Sequence, residues 1–192
     1  MYRVYLVSFV IAATVAGMTV SVGMAQPIET TIYTIQSERD SLTQTSLWVD
    51  SVVQVAGIVT CDYGVTGGYN FFLEMKQGGP WSGIMVYVPL SPAGCFEVDV
   101  GDSLIIVGTV LEYFDNTELR IDDTAQVERC GTTSLPPVVV ISAAHLDTSL
   151  SSSLYEYQPD SAEAYEGVLV QIRNAFVTDT MDANGNWEIS DG

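Results

Sequence analysis

Between Val52 and Arg120 the chain reads as five short β-branched or aromatic runs separated by turn residues, and that rhythm leaves few folds open. The first run, residues 49–60, is dense in valine, and Tyr63-Gly64-Val65-Thr66-Gly67-Gly68 supplies a turn after it. Residues 70–75 give a second strand, with Phe71, Phe72 and Leu73 as its apolar weight, before Gly78-Gly79-Pro80 breaks the chain. In the third run, residues 83–88, Ile84, Val86 and Val88 alternate with Met85 and Tyr87, the period of a strand with two different faces. Residues 89–99 carry two prolines and Gly94 and read as a crossover loop. Val100-Gly101-Asp102 then turns into residues 103–112, where Leu104, Ile106, Gly108 and Val110 share one face and Gly108 marks a bend or a close backbone approach. Asp115-Asn116 predicts a hairpin turn, residues 117–121 the returning strand and 125–129 an extension. Five strands in roughly 80 residues, with one long connection between the third and fourth, describe an all-β chain built on a five-stranded Greek-key barrel of the OB type.

The flanks organise around that barrel. Met1, Tyr2 and the single cation Arg3 precede an apolar run from Val4 to Ala25, long enough to span a bilayer, but its Gly23-Met24-Ala25 ending fits signal-peptide cleavage after Ala25. The expected layout is a signal peptide at 1–25, an extended linker at 26–48 with a strand-like Ile32–Ile35, the barrel at 49–132, a connector at 133–163 and a β-hairpin at 164–192. That last segment is either a hairpin added to the barrel or the opening of a truncated second barrel. Export without a retained membrane span places the chain outside the cell or at its surface.

The chain has 24 acidic and 6 basic residues; cleavage after Ala25 removes Arg3 and no carboxylate, leaving a net charge of −19. Lys76, Arg39, Arg120, Arg129 and Arg173 are scattered, so long duplex nucleic acid is an unfavourable partner, because phosphate binding requires clustered cations. Of three cysteines, Cys95 and Cys130 flank the central strands and are the candidate bridge in an oxidising exterior, while Cys61 ends a strand and is expected to be buried. No Cys/His cluster suggests zinc.

At Val55-Ala56-Gly57-Ile58-Val59-Thr60, Phe71-Phe72-Leu73, Gly83-Ile84-Met85-Val86-Tyr87, Val100-Gly101-Asp102, Gly108-Thr109-Val110-Leu111-Glu112-Tyr113 and Thr117-Glu118-Leu119 the chain resembles the OB-fold domain found beside bacterial extracellular nucleases. The resemblance covers residues 49–130. It departs after Leu73, where the family often carries Gln-Asp-Gly and this chain has Glu74-Met75-Lys76-Gln77-Gly78-Gly79. It implies a non-catalytic binding module whose partners are a downstream domain of the same polypeptide and a single-stranded nucleic acid or oligosaccharide. The segment 162–178 resembles the opening of a second such domain. The rival class is a structural or protein-interaction module of a cell-surface protein, without a small ligand.

OB barrels stack bases or sugar rings on aromatics of the second and third strands and the adjoining loops, which nominates Tyr69, Phe71, Trp81, Tyr87 and Tyr113. Period two sends Phe71 and Phe72 to opposite faces, so one of them is core. Trp81, in Gly-Gly-Pro-Trp-Ser-Gly, is the leading ligand contact, since a loop aromatic is harder to explain by burial. Asp182, Asn184, Asn186 and Glu188 alternate oxygen ligands around Gly185 and suit calcium, although Asp-Ala-Asn-Gly is equally a hairpin turn. Asp122-Asp123 is a weaker cation candidate. His145, the single histidine, lacks a nucleophile-elbow setting, and no glycine loop cradles phosphate, so neither a cofactor nor an enzyme active site is expected.

Overall fold

The computed structural model describes residues 26–62, 69–89, 97–143, 146, 162–179, 181 and 188–191. The expected signal peptide at 1–25 lies outside the described residues. Strands β1 (Ile28–Glu29), β2 (Val52–Asp62), β3 (Phe71–Glu74), β4 (Gly83–Tyr87), β5 (Asp102–Tyr113), β6 (Asn116–Arg120) and β7 (Val127–Thr132) make one sheet in the order β1-β2-β3-β4-β6-β5-β7, with β5 also pairing β2. The β2–β5 ladder, Val52↔Thr109 through Ile58↔Ser103, closes the ring β2-β3-β4-β6-β5. β4 and β6 run parallel and every other pair in the ring antiparallel, which is the OB topology.

Period-two alternation does what the sequence predicts. Phe71, Leu73, Ile84, Val86, Leu104, Ile106, Val110 and Leu119 are all fully buried inside the ring. Gly108 also faces inward, where a Cβ would come within 2.7 Å of the Leu119 side chain and 2.8 Å of the Arg120 carbonyl, so the close approach expected there is real. β2 slips register between Val59 and Cys61, a bulge that twists the strand from its β5 partner onto β3. Past it Cys61 is exposed rather than buried, because its stretch of strand has left the core.

Three further expectations change. Ile32–Ile35 is not a strand: residues Ile32–Ser37 form helix α1, capped by Thr31, whose hydroxyl accepts the Thr34 N–H at 3.0 Å. β-Branched residues disfavour helix only weakly, and spacing i, i+3 lets Ile32 and Ile35 bury completely in the barrel core, worth roughly 1.5–3 kcal/mol each. The hairpin turn falls one residue earlier than predicted, at Phe114-Asp115, since Tyr113 pairs with Asn116. Cys130 is a free, exposed thiol on the outermost strand β7, so it forms no bridge to Cys95, which lies outside the described residues.

C-terminal to the barrel, β8 (Val139–Ile141) pairs in parallel with β9 (Val170–Ile172), and β10 (Phe176–Asp179) pairs antiparallel with β11 (Glu188–Ser190). Among the described residues no helix is long and apolar enough to cross a membrane.

Candidate binding face and its covered end

The outward side chains of β3, β4 and β6 form one strip. Phe72 sits opposite Met85, Met85 opposite Glu118 and Tyr87 opposite Arg120. Phe72, Met85, Tyr87 and Arg120 are half-buried, and Arg120 is held by Asp122 Oδ1, 2.8 Å from its Nε. Where β5 turns into β6, Tyr113 and Phe114 stand in solvent, 61% and 87% exposed, with rings edge to face at 4.6 Å. Phe114 and Asp115 have φ of 49° and 62°, so this is a tight hairpin whose central residues are both left-handed. Glycine and asparagine suit such a turn. An aromatic there costs about 1–2 kcal/mol of backbone strain and, being exposed, recovers nothing by burial.

The predicted ligand contacts fall into three environments. Tyr87 and Tyr113 lie on this strip and its hairpin tip. Tyr69 packs half-buried against the core, and Phe71 is part of the core itself, beyond reach of any ligand on the closed barrel. Trp81 is half-buried and engaged by protein: its backbone N–H donates to the Ala164 carbonyl at 2.6 Å, and the Arg39 guanidinium lies 5.4 Å from its ring centroid. Gly78-Gly79-Pro80 does make a turn, with Gly78, Gly79 and Trp81 all at positive φ, but it aims Trp81 at protein rather than solvent.

Residues 162–169 lie across the start of β4. Gly83 touches Gly167 so closely that a Cβ on it would sit 2.2 Å from the Gly167 carbonyl carbon. The Leu169 N–H donates to Glu74 Oε2 at 2.9 Å, and the Ser82 hydroxyl donates to Glu74 Oε1 at 3.0 Å. Arg39, its side chain 5% exposed, reaches Glu163 Oε2 at 2.5 Å, Glu166 Oε2 at 3.4 Å and the Thr117 hydroxyl at 3.3 Å. The Gln36 carbonyl and side-chain oxygen hold the same guanidinium, while Gln36 Nε2 donates to the Gly83 carbonyl at 2.8 Å. One arginine thus joins α1, the barrel and the connector.

Carboxylates outnumber cations here, and burial raises several of them. Burial pushes Glu74 up, against the relief of the Leu169 N–H and the Ser82 hydroxyl. Glu118 is raised by burial, with Glu112 adding repulsion against the Asn116 hydrogen bond, and Glu163 by burial in spite of Arg39. Glu166 is pushed up to about 7, first by burial and then by the Glu163 carboxylate, with Arg39 opposing.

Arg120 and Arg129 are likewise engaged, with Asp122 at 2.7 Å and Asp102 at 3.0 Å; Lys76 and Arg173 have no carboxylate partner among the described residues. Asp122 serves Arg120, and Asp123 caps the 3-10 turn Thr124–Gln126, so neither is set up for a cation. Among the described residues no cluster of three or more metal-ligating side chains occurs. Of the calcium candidates only Glu188 is described, exposed at the start of β11; Asp182, Asn184 and Asn186 lie outside the described residues, as does His145. A cleft of about 350 Å³ beside β2, lined by Thr31, Met75, Lys76, Gln77, Ser103 and Thr133 among others, is a further concave feature.

The strand order and pairing together define an OB-fold barrel. No family model and no curated protein matches the chain. Among solved structures, an OB domain of a Methanosarcina mazei protein is 16% identical, covers 58% of this chain and 89% of its own, and superposes with a TM-score of 0.39. The second OB-fold domain of replication protein A from Methanococcus maripaludis is 14% identical, covers 50% and 99%, and superposes at 0.34. At these levels neither likeness bears on what this chain binds.

Proposed function

We propose that this chain is a secreted, non-catalytic OB-fold binding module of a larger extracellular protein, serving beside a nuclease domain and taking a single-stranded nucleic acid or oligosaccharide on the β3–β4–β6 strip. Phe114 carries the reading. An aromatic held at positive φ, 87% exposed and set edge to face with Tyr113, is a poor choice for folding and a good one for stacking against a planar or ring-shaped ligand. The cation pairing weighs toward the oligosaccharide, because Arg39, Arg120 and Arg129 are already neutralised and a polyanion would find few counter-charges.

The test is calorimetric titration with a panel of neutral oligosaccharides and, in parallel, an oligo-dT strand at low salt. Binding should weaken in the Tyr113→Ala and Phe114→Asn variants by about 1–3 kcal/mol per lost stack, roughly 5- to 150-fold. The Phe114→Asn protein should fold at least as well as the parent. If neither polymer class gives heat, or both variants bind like the parent, the ligand assignment is wrong.

The second reading, a structural module that positions a neighbouring domain, is favoured by Trp81, whose ring lies against the Arg39 guanidinium and whose backbone N–H donates to the Ala164 carbonyl. On that reading Trp81→Ala lowers stability and leaves polymer binding untouched.

A further inference from the structure

We propose that residues 162–169 form a proton-operated clasp, holding the connector against the barrel in acid and letting it go as the medium becomes neutral to alkaline.

The geometry is that of a docked strap rather than a continuous part of the barrel core. Its described attachments include Ala164 on the Trp81 backbone N–H, Gly167 on Gly83, Leu169 on Glu74, Glu166 on the Thr117 backbone N–H, and Glu163 and Glu166 on Arg39, with Ala164 and Val168 buried. The ion cluster is unbalanced. Arg39 is its one cation among the described residues, and the carboxylates bearing on it come from every element packed there: Glu163 and Glu166 from the strap, Glu112 from β5, and Asp115 from the β5–β6 turn. The hydroxyl of Thr117 on β6 and the Gln36 side chain from α1 are neutral. Glu163 pairs with Arg39 at 2.5 Å, and Glu166, at 3.4 Å, is the surplus charge.

The sign follows from linkage. Docking raises Glu166 from an ordinary 4.5 to about 7, so the docked state holds a proton that the free strap has lost. That contribution is fully present below 4.5 and gone once pH has risen past about 7; Glu163, also raised, acts in the same direction. From pH 5 to 8.5 a shift of this size changes the docking equilibrium by about 50- to 100-fold. Release frees the backbone N–H of Trp81 from the Ala164 carbonyl.

Hydrogen exchange on the full chain tests this. The Trp81 and Leu169 amides both donate across the strap contact, and their protection factors, corrected for the intrinsic pH dependence of exchange, should fall by that factor between pH 5 and 8.5. Core amides of β5 serve as the control and should change far less. Glu166→Gln should flatten the profile at the acid-side value. A flat profile in the parent chain overturns the proposal by itself, as does a Glu166→Gln protein that keeps the parental slope.

Discussion

Gly83→Ala should detach the connector while leaving the barrel closed. The added methyl would lie 2.2, 2.3 and 2.5 Å from the carbonyl carbon and oxygen of Gly167 and the nitrogen of Val168, all backbone atoms, so no side-chain rotation relieves the clash. Gly83 has no positive φ, which leaves alanine unstrained in the strand itself. Lifting the strap breaks the Trp81 backbone N–H to Ala164 bond and the charge-assisted Leu169 N–H to Glu74 bond, together worth about 2–4.5 kcal/mol, and separates Glu163 and Glu166 from Arg39, which returns to water the charges it separates. Freedom regained by the released chain offsets part of this, so a net loss of about 1–3 kcal/mol is expected. Urea unfolding gives that number, and brief proteolysis at pH 5 with mass spectrometry of the fragments should show new cleavage confined to the neighbourhood of residues 162–169. A variant as resistant as the parent, with stability within about 0.5 kcal/mol, would refute the view that backbone contact at Gly83 holds the strap. Gly57→Ala is the contrast: its methyl would lie 2.6 Å from Leu73 Cγ inside the barrel and should destabilise the barrel itself.

Phe71→Ala should cost about 3–5 kcal/mol by opening a cavity at the centre of the core, with a urea midpoint lowered accordingly and no selective effect on the strap. Overall stability should fall as pH rises from about 4.5 through 7, because Glu74, Glu118, Glu163 and Glu166 are all raised and the folded chain therefore binds protons the unfolded chain releases. Urea midpoints at pH 5 and pH 8 check the sign.

The barrel is legible in the sequence because period-two patterning is a local signal. Ile84 and Val86 against Met85 and Tyr87, or Leu104, Ile106 and Val110 on one face, need no knowledge of distant partners. α1 is hidden because Ile-Tyr-Thr-Ile has strand-like composition and is helical only by virtue of the barrel end it plugs. Trp81 misleads for a related reason: a loop tryptophan looks exposed until Ala164 and Arg39, 83 and 42 residues away in sequence, are brought to it. Phe114 is overshadowed in the sequence by its neighbour Tyr113. The signal available is the pattern aromatic-Asp-Asn between two strands, which places an aromatic in a turn position that usually takes asparagine or glycine.

The Arg39–Glu163 pair spans 124 residues and thereby sets an order of events during synthesis. A chain emerging from its N-terminus presents α1 and all the strands up to Thr132 before either glutamate of the strap exists. For that interval the guanidinium has only neutral partners, the Gln36 and Gln44 carbonyls, the Gln36 side-chain oxygen and the Thr117 hydroxyl, and no carboxylate of the strap to pair with. Full pairing of this arginine therefore waits on the arrival of residues 163–166, which makes docking of the strap a step that follows closure of the barrel as well as the lead into β9.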